Sequence, residues 1–128
     1  MGRMRTEVST SNQYWISKHR YYELKHFCLQ YPEWKELYLQ ARLQTLGEDK
    51  DPTGWYATIM GDCRHCMDLV ESTALNTDRV LGRYIFKHVA LGDSYERLLA
   101  LDNIPCGRDL FYSYVRKFYW LLSNTKGV

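Results

Sequence analysis

Arg108, Asp109, Tyr112, Ser113, Arg116 and Lys117 lie within ten residues of one another on one amphipathic pattern. At about 100° per residue, Phe111, Val115, Phe118 and Leu122 form a narrow apolar stripe. Asp109, Ser113, Arg116 and Trp120 fall opposite it, flanked by Tyr112 and Lys117, with Arg108 in the first turn. The chemistry this set offers is hydrogen bonding to nucleic acid. An arginine fork reads a guanine edge in a major groove, while Ser, Tyr, Lys and the free amides at a helix start hold phosphates. A solvated helix face beside a core uses the same residue types, so the pattern alone does not separate the two readings.

Two other clusters invite chemistry. Cys63-Arg64-His65-Cys66 places two thiols three residues apart with a histidine between them, half of a zinc site. No second such pair exists, however, and Trp55, Ile59, Cys63, Cys66 and Val70 repeat as one helical stripe. On that face cysteine acts as a small apolar residue, so no metal or other cofactor is expected. The tyrosine-rich run from Tyr14 to Tyr31, interleaved with Lys18, Arg20 and Lys25, has the composition of a base-stacking surface. Its apolar residues also form two helical stripes, Ile16, Leu24, Phe27, Tyr31 and Trp15, Tyr22, Leu29, which favour packing on two sides. His88, beside Leu81, Ile85 and Val89, reads as a satisfied, partly buried histidine. No nucleophile elbow, phosphate loop or paired-carboxylate motif is present, and no enzyme is expected.

The elements that must position these residues read as helices throughout. A first helix is predicted over 12–30 and a second from Pro32 to about Leu46, because proline suits the first turn of a helix and disfavours helix in the residue before it. Gly47 to Gly54, GEDKDPTG, is the one clear linker, so the chain divides into an N-terminal helical hairpin over 1–50 and a helical domain over 51–128. A third helix is predicted over 55–75 and a fourth over 78–91, closed by Gly92. Asp93 with Glu96 is a variant capping box that starts a fifth, two-turn helix. The turn Asp102 to Gly107 follows, with Ile104 as its apolar pin, and then the helix that carries Arg108 to Lys117. The fold class is therefore all-α, a helical domain with a C-terminal helix-turn-helix.

The stretch IPCGRDLFYSYVRKFYWLL resembles the C-terminal end of phage late-gene transcriptional regulators of the RinA and ArpU type, which is similar to the promoter-reading region 4 of sigma factors. YWISKHRYYELKHFCLQYPEWK also resembles phage and prophage proteins of this group, whereas residues 43–62 match nothing in it. The resemblance implies that the helix from Arg108 enters the major groove of double-stranded DNA while the helix from Ser94 crosses the backbone above it. It therefore implies a sequence-specific transcriptional regulator, with Ser94 joining the six residues above as a DNA contact. A protein-interaction module that inhibits a host or defence enzyme is the alternative use of the same shape.

Charge is distributed rather than abundant. The net +2 resolves into +2 over 1–50, −3 over 51–76 and +3 over 77–128. Positive charge at the helix pair suits DNA, and the acidic middle or the N-terminal helices are the candidate surface for host RNA polymerase. No apolar run approaches a membrane span, and the start MGRMRTEVSTSNQ has no apolar signal-peptide centre. The expected setting is the bacterial cytoplasm, which also suits four cysteines without a disulfide framework. Trp120 on an outer face and the two-sided first helix point to a homodimer.

Overall fold

The computed structural model describes residues 12–47 and 51–125, and every regular element among them is an α-helix. Most of the polar start and the centre of the predicted linker lie outside the described residues. The helices are α1 (Lys18–Leu29), α2 (Tyr31–Gln44), α3 (Trp55–Thr77), α4 (Gly82–Leu91), α5 (Tyr95–Asp102) and α6 (Arg108–Ser123). None is long and apolar enough to cross a membrane.

Local chemistry sets the boundaries. Pro32 has no N–H to offer the Cys28 carbonyl and its ring crowds that oxygen, so the first helical run breaks at Gln30. α1 starts later than the sequence predicts because Asn12 folds its own neighbourhood: its Oδ1 accepts from the Tyr14 amide at 2.8 Å and its carbonyl from the Trp15 amide at 3.0 Å. Asp51 caps α3 from outside, its two carboxylate oxygens accepting from the amides of Tyr56 and Ala57 at 3.0 and 2.9 Å. Asp78 Oδ2 accepts from Val80 and Leu81, which turns 78–81 out of the helix and delays α4 to Gly82. Gly92, at φ 79°, ends α4 as expected.

The cap of α5 differs from the expectation. Ser94, not Asp93, is the N-cap: its Oγ accepts from the Arg97 amide at 3.1 Å. Asp93 instead pairs with Arg97 at 3.5 Å and gives its carbonyl to His88. Asn103, left-handed at φ 51°, closes α5, and the Ile104 amide returns to the Leu98 carbonyl at 3.3 Å. Tyr95 Oη donates to the Cys106 carbonyl at 2.6 Å, so the turn before α6 is tied to the start of α5.

One apolar cluster runs through all six helices. α3 packs on α2, α4 and α6, and α6 also packs on α1 and α4. The predicted stripe of α6 is the core: Phe111, Val115, Phe118 and Leu122 are all buried. Tyr119 joins them, edge-on to Tyr21 with centroids 5.2 Å apart. Trp120 is not an outward residue, since Tyr14 covers it edge-on at 5.4 Å. α1 buries Tyr21, Leu24 and Cys28, while the predicted second stripe of Trp15, Tyr22 and Leu29 is exposed. The helix is buried on one side only. That side faces α4 and α6, whereas α2 packs chiefly on α3 and meets α4 as well.

Two glycines make opposite predictions. A Cβ on Gly82 would meet backbone atoms of Ala74 and Leu75 at 3.0–3.3 Å, where neither helix can yield locally. A Cβ on Gly61 would meet nothing within 4 Å, in the interior of α3. Gly61→Ala should therefore stabilise by about 0.5–1 kcal/mol through helix propensity, and Gly82→Ala should destabilise. Urea unfolding of the two variants checks the sign of each.

Candidate functional site

The seven residues singled out in the sequence divide into two groups around α6. Asp109, Ser113, Arg116 and Lys117 belong to its outer arc, opposite the buried stripe. Asp109 and Ser113 are exposed and Arg116 and Lys117 half-buried. Ser113 Oγ donates to the Leu110 carbonyl at 2.8 Å, leaving its lone pairs outward. Arg116 has its stem against the protein, with a buried Nε that meets no acceptor. Gly107 provides no side-chain cap, so the first amides of α6 have no partner within the helix. Asp109 sits in that first turn, where its charge suits the helix dipole.

Ser94, Arg108 and Tyr112 instead line a cleft on the α1 side. Arg108 forms an ion pair with Glu96 of α5 and lies over the Tyr112 ring, 5.6 Å from its centroid. Tyr112 meets His88 edge-on at 5.6 Å. Ser94 is occupied as a helix cap, and its hydroxyl proton is free for a further bond. Lys25 of α1 completes the wall. Sequence reading missed Lys25 and Glu96 as members of this group. Nothing in the local pattern of α1 says that it lies beside α6.

His88 is the satisfied histidine expected. Its Nδ1 lies 2.7 Å from the Asp93 carbonyl, which only accepts, so the proton is on Nδ1 and Nε2 is the open acceptor. Burial holds it below the ordinary histidine range, with Lys25 acting in the same direction against the Asp93 hydrogen bond. Unfolded His88 titrates near about 6.5. Below that value the unfolded chain binds a proton that the native chain refuses. Stability from this group is complete above the unfolded value and is lost as pH falls toward the folded one, at up to about 1.4 kcal/mol per pH unit. His88→Gln keeps a donor for the carbonyl and should flatten that slope in urea unfolding between pH 7.5 and 5.

The cysteine pair belongs to packing. Cys63 is buried and Cys66 half-buried on the inner side of α3, and Val70 follows them into the core. Trp55, at the first turn of α3, extends into solvent instead of continuing the stripe. Burial is the first cause raising the pKa of Cys28, Cys63, Cys66 and Cys106, which disfavours the thiolate that nucleophiles and metal ligands need. Among the described residues no three His, Cys, Asp or Glu side chains are grouped as a metal ion requires. Of the tyrosine-rich run, Tyr21 is buried, Tyr31 packs edge-on against Phe86 at 4.8 Å, and Tyr22 is exposed.

Comparison with family models, with curated proteins and with solved structures returns no match for this chain.

Proposed function

We propose that this chain is a sequence-specific regulator that binds double-stranded DNA, of the phage late-gene type, with α5, the turn and α6 acting as a helix-turn-helix. The observation that carries the reading is the outer arc of α6. Asp109, Ser113, Arg116 and Lys117 stand opposite a fully buried stripe, beside a helix start whose amides lack a cap. Such a helix presents a base-reading arginine, a phosphate-binding lysine and backbone donors on one rigid rod. Its 16 residues give a rod of about 24 Å, long enough to lie along a major groove about 12 Å wide. α5 is held across its start by the Tyr95 to Cys106 bond and by the buried Ile104. The acidic middle, net −3 over residues 51–76, is the candidate surface for a polymerase contact, although Asp68 within it is paired with Arg64. A homodimer would set two copies of α6 on half-sites about one helical turn apart, with the exposed Trp15, Tyr22 and Leu29 available to join them.

One observation favours the second reading, a protein-interaction module that inhibits a host or defence enzyme. Leu99, Leu101 and Leu110 are about half exposed or more, at 49%, 65% and 51%, on the same helix pair. A major groove offers such side chains only thymine methyls, whereas a protein partner would cover them. Selection from a random duplex pool separates the readings. The DNA reading expects an enriched motif and a binding constant that falls as salt rises. No enriched motif, with equal and weak binding to every duplex at moderate salt, would transfer the function to the leucines.

A further inference from the structure

Between α1, the α4–α5 junction and the first turns of α6 lies a cleft of about 720 Å³. Sites for small organic ligands occupy about 300–1,000 Å³. Three kinds of chemistry meet on its wall. Lys25 and Arg108 bring two cations from helices more than 80 positions apart in sequence, and Glu96 is the one carboxylate among the lining residues. Tyr112 brings ring surface, while Tyr21 is buried in the floor. His88, its proton committed to the Asp93 carbonyl, brings an acceptor nitrogen.

We propose that this cleft binds a small organic anion with a planar ring, of the nucleoside monophosphate class. The phosphate lies on Arg108 and Lys25, and the ring lies against Tyr112. Arg108 supplies the fork that phosphate oxygens match, and Lys25 supplies a point charge beside it. Ser94 adds a hydroxyl donor, its Oγ accepting from the Arg97 amide. The volume leaves room for a ligand larger than an inorganic anion. An exocyclic amine on its ring suits the histidine acceptor, which burial keeps neutral. Glu96 now holds the place of the ligand's anion on Arg108. Its side chain is 61% exposed, and so open a pair contributes little, which makes it easy to displace. The cleft lies to one side of the outer arc of α6, so its ligand does not depend on what that arc binds.

Isothermal titration of the full chain with AMP, adenosine and inorganic phosphate tests it. AMP should bind at least about tenfold more tightly than adenosine or phosphate. Lys25→Ala should weaken AMP by about tenfold or more with an unchanged melting curve, because Lys25 is a partly open position in a helix. Glu96→Gln should tighten AMP, since it removes the competitor for Arg108 and leaves its shape. A merely structural Glu96 would not produce that gain. Failure of AMP to bind both wild type and Glu96→Gln at millimolar concentration overturns the proposal. So does AMP binding that is indifferent to Lys25→Ala, or phosphate binding as well as AMP. Displacement of AMP by random duplex DNA would assign the phosphate to a nucleic-acid backbone and overturn the small-ligand reading.

Discussion

Phe118→Ala is expected to lower the stability of the fold by about 3–5 kcal/mol, a large part of the roughly 5–15 kcal/mol available to a small domain. Phe118 is fully buried on α6, and its ring meets Tyr119 at 5.1 Å. Truncation removes its apolar contacts and leaves a void between α6 and its neighbours, whose backbones are fixed by their own hydrogen bonds. Phe111→Ala should behave alike, because that ring touches Tyr95, His88 and Tyr112 and so joins α4, α5 and α6. Leu110→Ala, one residue from Phe111 but 51% exposed, should stay within about 0.5 kcal/mol of wild type. Urea unfolding monitored by circular dichroism compares the three. A loss below about 1 kcal/mol for Phe118→Ala would mean that α6 is not seated as described.

The face of α6 is legible in the sequence because four large apolar residues repeat at helical spacing while every residue opposite them is polar or amphipathic. The turn before it is equally legible, since Asn103, Ile104, Pro105 and Gly107 combine a left-handed position, an apolar pin and two helix breakers. What the sequence does not reveal comes from two causes. One is competition by side chains for backbone amides. Asn12, Asp51, Asp78 and Ser94 each take amides that a periodic pattern assigns to a helix or to another cap, and this moves the starts of α1, α4 and α5. The other is packing between distant segments. α1 has apolar residues on several sides, and only contact with α4 and α6 decides that Tyr21 and Cys28 are buried while Tyr22 and Leu29 stay exposed.

The same cause divides the candidate site. From spacing, Arg108 stands about 80° round the helix from Arg116 and nearer the apolar stripe. In the fold, α1 and α5 close over that edge of α6 and draw Arg108 into a cleft with Glu96, Tyr112 and Lys25. Arg116 is left as the arginine of the outer arc. The wheel sets Arg108 apart from Arg116, but it carries no information on where a neighbouring helix ends, so the partners that Arg108 meets are not legible from it. Their separation matters for function, because an arginine already paired with a carboxylate must give up that partner before it can read a base.

The largest functional effect is therefore expected at Arg116. On the duplex that the chain selects, Arg116→Ala should weaken binding by about 1–3 kcal/mol, roughly 5- to 150-fold, and relax preference at one base position. Lys117→Ala should weaken all duplexes alike and reduce the salt slope by about 1, as loss of one phosphate contact requires. Arg116→Lys keeps the charge but not the fork, so it should restore affinity for random DNA more than preference for the selected site. Folding provides the control. Arg116→Ala loses the packing of its stem but also deletes a buried Nε that has no acceptor, so its thermal midpoint should change little. Fluorescence anisotropy on selected and random duplexes across a salt series reads all three variants. Should each bind both duplexes as wild type does, α6 is not a reading helix, and the exposed Leu99, Leu101 and Leu110 become the surface that a protein partner covers.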